Sequence, residues 1–119
     1  MKIIIATNKN LVHILLRPRL LATGGNHQEF HLPLKERSEE YLKLLTEVGQ
    51  KLVKRIADIE GVESIRVWIN TVGLEHSRTY EWENDLAELV MPIVYEVLGY
   101  NDPEKVTIEK TTMTKLCGW

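Results

Sequence analysis

The chain has 119 residues, the length of one domain that can bury a core without disulfides or metals but cannot hold two independent cores. Hydrophobic residues make up 44% and charged residues 27%, a globular balance that excludes a disordered tail or a coiled coil. Fifteen basic residues against 17 acidic ones give a formal net charge of -2, so no general attraction to phosphate backbones or anionic lipid arises.

Ile3, Ile4 and Ile5 form a β-branched run, and a second apolar run, Leu11 to Leu16, follows the turn chemistry of Asn8-Lys9-Asn10. This pattern predicts a strand pair or one long bent strand, stopped at Arg17-Pro18-Arg19, because proline removes a ladder donor. Thr23-Gly24-Gly25-Asn26 supplies a turn, and Gln28 to Leu32 alternates polar and apolar as a short strand does before Pro33 closes it. From Glu36 to Asp58 the period changes. Tyr41, Leu45, Val48, Leu52, Ile56 and Ile59 recur three and four residues apart and predict a single helix with one buried stripe. Glu36, Glu39 and Glu40 near its start and Lys54 and Arg55 near its end complement the helix dipole, and Gly61 stops it.

Val62 to Thr71 reads as a half-buried strand, with Ile65, Val67 and Ile69 on one face and Ser64, Arg66, Trp68 and Asn70 on the other. Gly73 to Arg78 reads as a polar connection and Thr79 to Trp82 as a short edge strand. A second helix is predicted to be capped near Asn84 or Asp85, with Leu86, Leu89, Val90, Ile93 and Val97 as its stripe and Pro92 kinking or restarting it before Gly99. Lys105 to Met113 then offers a final strand, with Val106 and Ile108 on one face. These elements predict an α+β fold, a two-layer sandwich of a small, mostly antiparallel sheet with two helices on one face, in the order β-β-β-α-β-(β)-α-β. A single domain spans residues 1–119, with 100–119 as a C-terminal extension.

Among residues that carry chemistry, His27, Glu29 and His31 share one strand face, and two imidazoles with a carboxylate are zinc-type ligands. An exposed polar strand face satisfies the same pattern without metal. His76 stands between Glu75 and Ser77, but neighbours in sequence do not make a nucleophile and its base. Cys117, the one cysteine, has only Lys115 nearby to activate it, and it admits no internal disulfide, which points to a reducing cytoplasm. Gly24-Gly25-Asn26 leads into a strand rather than a helix N-terminus, so it is a turn and not a phosphate cradle. Arg17, Arg19, Lys51, Lys54, Arg55 and Arg66 could form a local basic patch, with Trp68 offering a stacking surface, or could equally be a solvated face above a core tryptophan. No cofactor-binding motif is present, and no apolar run reaches the ~18 residues of a membrane span.

The order of signals resembles the N-terminal domain of the Nfu/NifU-type iron-sulfur scaffold proteins. That family opens with a strand, a T-P-N-P-N segment and a second strand, then a helix ending I-E-G-V into a strand, then a tryptophan-containing turn and a helix with L-x-P-x-I/V. Asn8 and Asn10 match the two asparagines, with Ala6, Thr7 and Lys9 in place of the threonine and both prolines. The stretch Leu52 to Ile65, with Ile59-Glu60-Gly61-Val62 inside it, matches best, and Trp82 with Leu89 to Tyr95 echoes the later motif. The family's cluster-binding Cys-x-x-Cys lies in a separate domain and has no counterpart here. The resemblance therefore implies an accessory domain that docks a protein partner in iron-sulfur cluster assembly without ligating the cluster.

The leading expectation is a non-enzymatic, cytoplasmic protein-interaction module that uses Asn8, Asn10, Arg66 and Trp68, on the exposed sheet face around Arg66 and Trp68 or on the polar connection Glu75 to Glu81. One alternative is a small metal-dependent or acid-base enzyme built on His27, Glu29 and His31, with His76. The other is a small regulator that binds nucleic acid or a host protein.

Overall fold

The computed structural model describes residues 2–16, 21–22, 27–35, 38–99 and 106–113. The readings placed on Arg17-Pro18-Arg19, on the Gly24-Gly25-Asn26 turn, on Glu36 and on Lys115 and Cys117 lie outside the described residues. The fold is α+β, with one mixed sheet of six strands ordered β3-β4-β5-β2-β1-β6. Among the described residues, no helix is long and apolar enough to cross a membrane.

Strand β1 (Lys2–Asn8) pairs antiparallel with β2 (Leu11–Leu15) through the register Asn8↔Leu11 to Ile4↔Leu15. The pair is therefore a tight hairpin. Lys9 turns it with a φ of 54°, the positive backbone angle that short hairpin connections favour. Strand β3 (Gln28–His31) forms one edge beside β4 (Val62–Val67), while β6 (Thr107–Thr112) forms the other and runs parallel to β1. On β6, Ile108 is exposed, as an edge strand permits.

The helix expected from Glu36 to Asp58 is two helices, α1 (Ser38–Leu42) and α2 (Glu47–Ile56). Tertiary partners break it. Leu45 bridges to Ala22, and the Thr46 N–H donates to the Leu21 carbonyl at 2.9 Å. The Thr46 hydroxyl then caps α2 by accepting from the Gly49 N–H at 3.2 Å. Leu45, Leu52 and Ile56 of the expected stripe are buried, but Tyr41, which belongs to the separate helix α1, is 48% exposed.

The strand expected from Val62 to Thr71 ends at Val67, and Ile69 is exposed in the turn that follows. The Trp68 N–H donates to the Thr71 carbonyl at 2.9 Å, closing a tight turn into β5 (Thr71–His76). The segment read as a polar connection from Gly73 is thus mostly a central strand, with Val72 and Leu74 buried. Thr79 to Trp82 is not an edge strand but a turn, in which the Tyr80 N–H donates to the Ser77 carbonyl at 3.1 Å.

A wide helical turn, Trp82–Leu86, leads into α3 (Ala87–Leu98), which continues through the exposed Pro92 and ends at Gly99, φ 78°. The Leu86 and Ala87 N–H groups reach back five residues, to the Glu81 and Trp82 carbonyls. Each five-residue step adds one residue to a turn, so the buried stripe falls on Val90, Met91, Val94 and Leu98, while Leu89 is 52% exposed. A single apolar cluster joins Ile3, Ile5, Val12, Ile14, Phe30, Ile65, Val67, Val72 and Leu74 of the strands to the stripes of α2 and α3.

Candidate functional site

The register sets one row of residues across all six strands on the face opposite that cluster: Glu29, Arg66, Gly73, His13, Ala6 and Thr111. Gly73 leaves an empty place in the row. A Cβ built there would come within 2.8 Å of Trp68 Cζ3 and 3.0 Å of His13 Cδ2, so the two rings occupy the space a side chain would fill. The Trp68 ring, half-buried, lies 5.0 Å from His13 and 5.4 Å from His27 between centroids, and so forms the middle of a three-ring platform.

Beside the platform, Arg66 Nη2 donates to Glu29 Oε1 at 3.3 Å, and the same oxygen lies 3.3 Å from His31 Nε2. Glu29 is thus engaged by a guanidinium and an imidazole, while His27 leans on Trp68. Among the described residues, no group of three or more His, Cys, Asp or Glu side chains is placed to hold a metal ion. His76 is remote from this trio: it ends β5 on the face of Val72 and Leu74, whereas Glu29 and His31 share the opposite face.

Burial, and then the positive charge of Arg66, push the His13 imidazole below its ordinary value of 6.5. Its neutral form is therefore favoured in the fold. In the unfolded chain the ring takes up a proton near 6.5, in the folded chain only at lower pH, so stability falls as pH drops below ~6.5 and levels off beneath the lowered value. Urea unfolding at about pH 7.5 and about pH 5.5 should show a smaller loss for His13→Gln than for the unaltered chain. Equal losses would remove His13 as the source.

At the far end of the strands from Trp68, the β1–β2 turn faces the segment after β5. Asn10 Nδ2 donates to the His76 carbonyl at 3.1 Å, and the His76 N–H donates to the Asn10 carbonyl at 3.0 Å. An open cleft of about 410 Å³ lies here, lined by Lys9, Asn10, His76, Arg78, Tyr80, Glu81 and Trp82. The negative charge of Glu60, with lesser effects of burial, a hydrogen bond to Glu60 and the charge of Asp85, pushes the Tyr80 hydroxyl above its ordinary 10.0 and keeps it protonated. Asn8 ends β1 in an exposed position and does not line this cleft.

Of the residues expected to bind a partner, Arg66 and Trp68 therefore meet at Gly73, and Asn10 stands at the opposite end of the sheet. His13, Gly73 and Lys9 were not singled out by sequence, whereas Arg78 and Tyr80 fall within the connection Glu75 to Glu81. The signal for His13 was present in the alternation of β2, where it points to the same side as Leu11 and Leu15.

The fold is that of a small α+β domain, and its sheet carries the three-ring platform on the face opposite the core. No protein-family model matches the chain, and no curated protein matches it. Among solved structures, it is similar to protein SAV1430 from Staphylococcus aureus, with a TM-score of 0.47 and 22% identity over 82% of this chain and 99% of that one. It is also similar to a NifU-like protein from Saccharomyces cerevisiae, with a TM-score of 0.48 and 17% identity over 78% of this chain and 69% of that one. The resemblance to a NifU-like protein is weak.

Proposed function

We propose that this chain is a non-enzymatic protein-interaction module, an accessory to iron-sulfur cluster assembly that docks a protein partner on the Trp68 platform. The observation that supports docking is the half-buried Trp68 ring, held between His13 and His27 and seated where Gly73 lacks a side chain. A rigid aromatic body already fixed by its neighbours loses little freedom on binding, which is why such residues dominate interface energetics. The Arg66–Glu29 pair beside it supplies a polar rim.

The tie to cluster assembly rests on the resemblance of Leu52 to Ile65 and of Asn8 and Asn10 to NifU-type domains. With one cysteine in the chain, the module acts by holding a partner rather than by ligating a cluster with a cysteine pair, and it acts in a reducing cytoplasm. The near balance of 15 basic and 17 acidic residues favours a protein partner over nucleic acid or a membrane surface.

Affinity capture from native cell extract, with the unaltered chain and Trp68→Ala side by side, tests this. The unaltered chain should recover cluster-assembly proteins, and the variant should bind them about 30-fold more weakly, the scale of an interface anchor. Circular dichroism would verify that the variant is folded. Recovery that is equal for both chains, or that lacks any cluster-assembly protein, would overturn the proposal.

A further inference from the structure

The cleft at the β1–β2 turn lies at the other end of the strands from the Trp68 platform, and its lining has a chemistry of its own. His76 is 97% withdrawn from solvent, being 3% exposed, and its Nδ1 lies 2.9 Å from the Ser77 carbonyl. A carbonyl oxygen only accepts, so Nδ1 carries a proton, and in the neutral ring Nε2 presents a lone pair. That Nε2 is buried with no hydrogen-bond partner. Leaving such an atom unmatched is costly, and a native fold keeps few of them without a use.

Two cations border the same cleft. Lys9 and Arg78 are exposed, and neither is held in an ion pair among the described residues. Lys9 stands in the two-residue turn between β1 and β2, with a φ of 54°. The one acidic side chain of the lining, Glu81, already accepts a hydrogen bond from the Asn84 amide. Tyr80 and Trp82 complete the walls with aromatic surface. The volume, about 410 Å³, is within the range of small-molecule sites.

We infer that this cleft binds a small organic oxyanion, a carboxylate or a phosphate ester that carries a hydroxyl beside its charge. Lys9 and Arg78 hold the anionic group, the ligand hydroxyl donates to His76 Nε2, and Tyr80 and Trp82 flank the carbon skeleton. A purely cationic or purely apolar ligand leaves the two free cations and the imidazole lone pair unmatched. This inference does not rest on the docking proposal, and either stands if the other fails.

The test is a titration of the full chain, followed through its backbone amide NMR signals, with malate, succinate, glycerol 3-phosphate and propyl phosphate as probes. Malate or glycerol 3-phosphate should shift the Asn10, Ser77 and Glu81 amides to saturation, and whichever of the two binds more tightly identifies a carboxylate or a phosphate ligand. Succinate, which lacks the hydroxyl of malate, and propyl phosphate, which lacks those of glycerol 3-phosphate, should each bind about tenfold more weakly than their partner probe. Lys9→Gln and Arg78→Gln should each weaken binding of the better probe by about tenfold, the scale of one charge-assisted contact. Both side chains are exposed and make no ion pair among the described residues, so these variants keep the fold. Absence of saturable shifts at those amides, or binding that neither substitution alters, would overturn the site. Equal binding of the probes with and without a hydroxyl would overturn the role of His76.

Discussion

Leu52→Ala should destabilise the fold by about 3 kcal/mol, whereas Tyr41→Ala should cost less than about 1 kcal/mol. Both residues fall on one stripe if residues 36–58 form a straight helix. In the structure, Leu52 is 0% exposed within α2, and Tyr41 is 48% exposed on α1. Truncating Leu52 leaves a void in the apolar cluster that also holds Val53, Ile56 and Ile65, while truncating Tyr41 removes a ring already half in solvent. Urea denaturation of both variants gives the comparison directly, provided the dependence on urea keeps the same slope. Similar losses at the two positions would mean that the chain does not break at Thr46.

That break also shows which features a sequence can disclose. The β1–β2 hairpin, β3, the exit Ile59-Glu60-Gly61-Val62 and the strand within 105–113 are written in local chemistry: β-branched runs, turn residues and a glycine at φ 101°. The division of α1 from α2 is not local, because its cause is the Leu21–Ala22 backbone, which pairs with Leu45 and Thr46. Strand β5 was hidden by Gly73, whose residue type reads as a turn. Its glycine is required instead because Trp68 and His13 fill the space above it. The stripe of α3 was displaced by hydrogen bonds that reach five residues back, which leave no mark in an apolar periodicity.

The two candidate surfaces divide in the same way. Arg66 and Trp68 were legible because period-two alternation places them opposite Ile65 and Val67. Their partners were not. His13 comes from a strand two positions away in the sheet, and His27 meets Trp68 from beyond the end of β3. The cleft is built from the β1–β2 turn and the segment after β5, more than sixty residues apart, as the separation of 66 between Asn10 and His76 records. Only the pairing of β2 with β5 brings them together.

Gly49→Ala reverses the ordinary effect of such a change. Alanine in an exposed helix interior is favoured over glycine by about 1 kcal/mol, so propensity alone predicts a gain. Here an added Cβ would collide with the Leu21 carbonyl oxygen and lie 3.1 Å from its carbon and 3.2 Å from Leu45 Cβ. The carbonyl has little freedom to retreat. It accepts from the Thr46 N–H at 2.9 Å, and the Leu21 N–H donates to the Ile69 carbonyl at 2.7 Å. Relief of the clash must therefore either push α2 outward or loosen Leu21 from both partners. Overpacking of this kind costs ~1–3 kcal/mol and occasionally more, and with backbone as the obstacle the upper end applies, leaving a net destabilisation of about 2 kcal/mol. Ile69 adjoins Trp68, so amide exchange at Thr46, Leu21 and Trp68 should quicken together in the variant. A stabilised Gly49→Ala protein would mean that the Leu21 segment does not pack on α2, and the partner-driven break at Thr46 would lose its cause.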